Sequence, residues 1–153
     1  MSKCYQLVGV PGSGKSTWVE QQDWASDCVY VSTDTHIEDY ASLVGRTYSE
    51  VFQYHMPRAI ELMCRDVVFA REAGKDIIWD QTSTTVASRA KKFNMLPLYD
   101  HIAVVFKTPE PNELSRRLAS RPGKDIPYHV IMGMLQNWQE PTQNEDFKEI
   151  WRV

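Results

Sequence analysis

The chain has 153 residues, 42% apolar and 24% charged, with 17 basic and 20 acidic side chains and a net charge of −3. That is the composition of one soluble globular domain rather than a disordered or collagen-like chain. It excludes a generally basic nucleic-acid coat, no apolar run approaches the ~18 residues of a membrane span, and MSKCYQLVGV lacks a signal-peptide core, so a cytoplasmic location is expected.

In chain order, Cys4–Gly9 reads as a buried first strand and Ser16–Gln22 as the helix after it. Cys28–Ser32 reads as a second strand. A long helix is expected over Tyr48–Ala73, with Pro57 kinking or breaking it and Gly74 stopping it. Asp76–Asp80 reads as a third strand, and Thr82–Ser83 as the cap of a helix over Thr84–Phe93. Ile102–Phe106 is a continuous apolar run, hence a fourth buried strand. A helix over Asn112–Ala119 and a Pro122-Gly123 loop follow. Pro127 opens a last helix with Ile131, Met134, Leu135 and Trp138 on one face, and Phe147–Val153 supplies an edge strand. Strands alternating with helices predict an α/β, three-layer fold. It has a parallel sheet of four or five strands, helices on both faces and a small lid near residues 116–127, all in one domain spanning 1–153. Ligands of such sheets bind beyond the carboxyl ends of the strands.

Cys4, Cys28 and Cys64 form no paired motif and read as buried free thiols; the four histidines are scattered. Residues 89–124 carry eight basic and three acidic groups, leaving the rest of the chain at −8. A solvated helix face accounts for that bias as well as a positive surface that holds phosphates.

The strongest local signal is Gly9-Val-Pro11-Gly12-Ser13-Gly14-Lys15-Ser16, a full G-x-x-x-x-G-K-[ST] between a strand and a helix. Its glycines let backbone N–H groups wrap phosphates, and the helix that follows aims its positive end at the same anion. Lys15 reaches the β- and γ-phosphates of ATP, and the Ser16 hydroxyl is a ligand for Mg²⁺. This motif predicts nucleotide binding without choosing between kinase, ATPase and switch.

Two carboxylates lie at strand ends. Asp34, in the run Ser32-Thr-Asp34-Thr35-His36, is placed to take a proton from an attacking hydroxyl; a turn aspartate is the plain alternative. Asp80, closing Ile-Ile-Trp-Asp, holds the position of a magnesium-binding aspartate; a helix cap is its alternative. Gln81, Thr82 and Ser83 offer hydrogen bonds to nucleotide or acceptor. Arg116, Arg117 and Arg121 precede Pro122-Gly-Lys-Asp-Ile-Pro127, where small phosphate-transferring enzymes carry a lid. Arg121, then Arg117, is the candidate to neutralise the transferring group. Arg89, Lys91 and Lys92 line an acceptor groove or a solvent face. Tyr40, Tyr48, Phe52 and Tyr54 stack on bases or belong to the core, and Trp18, Trp79 and Trp138 read as packing residues.

The P-loop with its trailing Thr17-Trp18, the run Ser32-Thr-Asp-Thr35, Asp80-Gln-Thr82 and Arg121-Pro-Gly-Lys-Asp-Ile-Pro127 together resemble one family. It is the P-loop kinase family that includes the kinase domain of phage polynucleotide kinase. The resemblance runs from Ser2 to Trp138. It implies an enzyme using ATP and Mg²⁺, with Lys15 and Ser16 as phosphate and metal residues, Asp34 as general base, Arg121 as lid arginine and Asp80 as the strand-end aspartate.

One position departs from the pattern. Polynucleotide kinases carry an Arg three residues after the catalytic Asp, where this chain has Ile37. The same family includes phage kinases of 5-hydroxymethyluracil in DNA, whose acceptor is also a primary alcohol and is reached by base flipping. The ATP-binding region of heterogeneous nuclear ribonucleoprotein U is similar at Asp-Gln-Thr and Gly-Lys-Asp, with Asn in place of Asp34. The resulting expectation is a kinase for a hydroxyl on a nucleic acid, with a DNA acceptor touching Asp34, Thr35, Gln81, Thr82 and Arg89, in the host cytoplasm if of phage origin. A small-molecule kinase and a non-catalytic nucleotide-dependent binding module are the alternatives.

Overall fold

The computed structural model describes all residues, 1–153. Five strands, β1 (Lys3–Val8), β2 (Val29–Val31), β3 (Ile77–Asp80), β4 (Asp100–Val105) and β5 (Glu149–Arg152), form one sheet in the order β2-β3-β1-β4-β5. Every neighbouring pair is parallel, with Tyr5 opposite Ile78 on one side and Ile102 on the other. Parallel strands need crossovers, which are supplied by α1 (Lys15–Glu20), α2 (Thr33–Val44), α3 (Tyr48–Glu72), α4 (Val86–Met95), α5 (Pro111–Ala119) and α6 (Tyr128–Gln136).

The central strands are buried on both faces, which is why their sequences are mainly apolar rather than alternating; the buried polar side chains of β1 and β4, Gln6 and His101, hydrogen-bond each other at 2.9 Å. On one face, Cys4, Val31, Ile77 and Trp79 pack under Met63, Val67 and Ala70 of α3. On the other, Tyr5, Leu7, Ile78, Ile102, Val104 and Phe106 pack against Trp18, Val19 and Trp24. Burying one such aliphatic or aromatic side chain contributes about 1.5–3 kcal/mol. No helix is long and apolar enough to cross a membrane.

Several local expectations shift. The segment after β2, to which the sequence reading assigns no helix, is α2: the Ser32 hydroxyl accepts from the Asp34 N–H at 3.1 Å, Ile37 and Ala41 are buried, and Gly45 ends the helix at φ 69°. Ile37 and Ala41 dock on Val51 and Ala59 of α3. Pro57 neither breaks nor divides α3, which runs unbroken for 25 residues from a Thr47–Glu50 capping box. The cap of α4 is Thr85, with Ser88 as its partner, not Thr82 or Ser83. Of the α6 stripe only Ile131 is fully buried; Trp138 lies beyond the helix, against the Val8, Ala103, Val105 and Phe147 cluster. All three cysteines are free, but only Cys4 is buried.

Candidate active site

The carboxyl ends of β1, β2 and β3 open on one side of the sheet, and three elements converge there. The turn after β1 holds Gly12 at φ 84° and Gly14 at φ 98°, conformations that a Cβ disfavours. A Cβ on Gly12 would also meet Leu114 of α5 at 2.9 Å, so the loop fits only with glycine there. The Gly9 N–H donates to the Thr82 carbonyl at 3.0 Å, tying this loop to the exit of β3. Lys15 folds over the loop and donates from Nζ to the carbonyls of Gly9 (3.0 Å) and Val10 (3.1 Å). Burial lowers its pKa, opposed by the charges of Asp80 and Asp34 and reinforced by those of Arg121 and Lys124. The ammonium therefore sits within electrostatic range of Asp80, Asp34, Arg121 and Lys124.

Beside the loop is a cleft of about 520 Å³ lined by Gly12, Gly14, Thr17, Trp18, Arg117 and Arg121, among others. Arg117 bridges Glu113 (2.9 Å) and the Gly12 carbonyl (3.1 Å). Arg116 is spent on Glu113, whereas Arg121 carries no salt bridge. Gly9, Pro11, Ser13 and Ser16 complete the loop; the buried Ser13 hydroxyl has no partner.

Asp80 ends β3 almost fully buried, and Tyr30 of β2 donates its hydroxyl to Asp80 Oδ2. Burial raises the Asp80 pKa, while Lys15 and the Tyr30 hydroxyl pull it down. Asp34 stands in the first turn of α2 with both oxygens engaged. Tyr48 donates to Oδ1 at 2.6 Å and Lys124 to Oδ2 at 3.0 Å. Thr35 is exposed next to it. Gln81 Oε1 accepts from the Trp79 indole at 3.0 Å, and Thr82 contributes its carbonyl to the loop contact.

Arg89 is a correction. It is fully buried and lines no groove. Its guanidinium donates to both Glu145 oxygens (2.8 and 3.1 Å) and to the carbonyls of Ser83 (2.8 Å) and Gln139 (2.8 Å). It holds the turn after Asp80, where Ser83 adopts φ 49°, unusual for a residue other than glycine. Lys92 is buried too, with its ammonium 5.2 Å from the centre of the Trp79 ring. The basic bias of 89–124 is thus not one surface, since two of its cations lie in the core. Tyr30 is a site residue the sequence does not single out; Tyr48, read as a stacking or core aromatic, and Lys124, read only as part of the lid motif, both prove to hold Asp34. They arrive from three separate stretches, and nothing local in the sequence ties Tyr48 or Lys124 to Asp34, or Tyr30 to Asp80.

The sequence matches the family described as "AAA domain" over residues 6–141, and the chain belongs to that family. Among solved structures, a candidate kinase from Chloroflexus aurantiacus superposes with a TM-score of 0.70 at 14% identity, covering 99% of this chain and 84% of the other. A chain of the Pnkp1/Rnl/Hen1 RNA repair complex gives 0.68 at 24% identity, covering 89% of this chain and 43% of that one. A gluconokinase from Sinorhizobium meliloti gives 0.56 at 16% identity, covering 99% and 81%. At these identities the likeness is one of fold: a P-loop kinase-like α/β domain with a five-stranded parallel sheet flanked by helices.

Proposed function

We propose that the chain is an ATP-dependent kinase that transfers the γ-phosphate to a hydroxyl group on a nucleic acid, either the hydroxymethyl of 5-hydroxymethyluracil in DNA or a 5′-hydroxyl end. We read residues 1–153 as one catalytic domain acting in the cytoplasm. The observation that carries the kinase reading is Asp34: a carboxylate held in one place by two donors, at the same end of the sheet as the P-loop lysine and an unpaired arginine. The acceptor oxygen attacks the γ-phosphorus as the bond to the β–γ bridging oxygen breaks. ADP leaves, and the hydroxyl proton passes to Asp34. Lys15 leaves its carbonyl partners for the β- and γ-phosphates, and Arg121 neutralises the transferring oxygens.

The residues present fit a magnesium ion. Asp80 and Ser16 offer two hard oxygen donors beside the cradle, both meeting the Tyr30 hydroxyl. That suits Mg²⁺, which keeps waters and binds through one or two protein oxygens plus phosphates. When bound it would supply charge neutralisation at the phosphate oxygens.

The structural likeness to an RNA repair component supports the nucleic-acid acceptor. A second reading, a small uncharged polyol, is favoured by the acidic face around Asp34, where Glu38 and Asp39 are exposed, and by the burial of Arg89 and Lys92. The test is transfer of label from γ-labelled ATP to four acceptors in parallel. These are a 5′-hydroxyl oligonucleotide, 5′-blocked DNA containing 5-hydroxymethyluracil, free nucleosides, and a mixture of sugars and sugar acids. Label on either DNA, weakened by added salt, upholds the first reading. Label confined to small acceptors replaces it with the second. ATP binding with no label on any acceptor leaves a binding module.

A further inference from the structure

The last turn of α5 and the segment after it, residues 117–125, are fastened at two places. On the cradle side, Arg117 reaches the Gly12 carbonyl, and Ser120 and Arg121 line the cleft. On the other side, Gly123 to Asp125 are stitched to the start of α3. The Gly123 carbonyl accepts from the Ser49 N–H at 3.0 Å, and the Asp125 N–H donates to Ser49 Oγ at 2.7 Å. The approach is close enough to demand glycine: Gly123 has φ 71°, and a Cβ there would lie 2.8 Å from Thr47 Cβ. Between these stitches Lys124 turns inward, with its side chain 13% exposed. Its ammonium donates to Asp34 Oδ2 (3.0 Å) and Glu38 Oε1 (3.1 Å) and lies 4.5 Å from the centre of the Tyr48 ring.

An exposed lysine–carboxylate pair is worth little, because solvent screens it and ordering both chains costs entropy. This one is different in kind. The lysine is mostly enclosed, bridges two carboxylates and stacks on an aromatic ring that itself donates to Asp34. We propose that Lys124 is the positioning residue for Asp34, carried on the lid, so that seating the lid on α3 both closes the cleft and fixes the carboxylate. The proposal rests on the reading of Asp34 as the base. It adds that this carboxylate is correctly held only while the lid is seated, which makes transfer conditional on closure.

The experiment uses the full chain and needs no acceptor but water. ATP hydrolysis and amide hydrogen exchange at Ser49 and Asp125 are measured for wild type, Lys124→Met, Asp34→Asn and the double variant. Lys124→Met is expected to lower kcat about ten- to a hundredfold with KM for ATP within about twofold, as misplacement of a reacting group does. It is also expected to speed exchange at both amides. In the Asp34→Asn background Lys124→Met should cost nothing further in kcat, because its effect passes through the carboxylate. Unchanged exchange in Lys124→Met overturns the proposal, as does a full independent loss in the double variant or a loss confined to KM. If Asp34→Asn alone leaves hydrolysis unchanged while Lys124→Met still speeds exchange, the base assignment has failed and the fastening of the lid to Asp34 has not.

Discussion

The cradle after β1 and the corner around Asp34 are built on opposite plans. The cradle is eight consecutive residues whose backbone does the work: two glycines at positive φ, a lysine resting on loop carbonyls and one main-chain bond to Thr82. The corner is made of side chains from three separate stretches: Asp34 on α2, Tyr48 on α3 and Lys124 between α5 and α6. A backbone site is fixed once the local turn forms. A side-chain site exists only when all of its carriers are docked. Binding of nucleotide and transfer of phosphate are therefore expected to fail separately.

The largest effect that would sharpen this contrast is in the cradle. On the proposed kinase reading, Lys15→Met should lower phosphate transfer by about a thousandfold or more, since that reading gives Lys15 the transferring oxygens to face. Steady-state transfer kinetics check it. Next, Asp34→Asn should cost about 10²–10⁴-fold in kcat while leaving nucleotide affinity within about threefold. Calorimetric titration with ATP that shows affinity collapsing in this variant would erase the distinction between the two regions.

Behind both regions stands Arg89, which joins the turn after Asp80 to the segment carrying Glu145. Arg89→Met should destabilise the fold by about 3–5 kcal/mol, because it takes their cation from two carbonyls and from an enclosed carboxylate that keeps only the Thr142 N–H. Urea unfolding measures this. The smallest effect concerns Lys92, whose pKa burial holds down at about 8 against an ordinary 10.5. Below pH 8 the folded protein carries a charge it would rather shed. Between pH 8 and about 10.5 the unfolded chain binds the extra proton, so stability rises with pH in that window, by at most about 3 kcal/mol. Lys92→Met should flatten that rise relative to wild type.

Legibility in the sequence followed the same division. The P-loop is contiguous, and its residue types are dictated by backbone geometry, so it could be read directly. The central strands were equally plain, because burial on both faces leaves mainly apolar runs, with Gln6 and His101 as a mutually bonded exception. The helix α2 was missed because Ser-Thr-Asp-Thr reads as a turn. Its signal was present in the Ser32 cap, the Ile37 and Ala41 spacing and the Gly45 stop. Arg89 and Lys92 were misread because charged residues at helical spacing normally mark the wet face. Here one is paired with Glu145 and the other covers Trp79, and neither partner is near in sequence. Tyr48 and Lys124 lie 14 and 90 positions from Asp34, a juxtaposition that only the docking of α2, α3 and the lid creates.

The aromatic packing beneath the cleft gives the molecule an optical property of its own. Trp18 lines the cleft and meets Phe106 and Trp24 edge-on at 5.8 and 6.0 Å. Trp24 in turn touches Tyr5 at 4.6 Å and Trp151 of the edge strand at 6.5 Å. Light absorbed anywhere in this group can migrate by dipole coupling to the one indole that borders the entering nucleotide. Filling of the cleft beside Trp18 is therefore expected to change the protein's ultraviolet emission, with no dye attached.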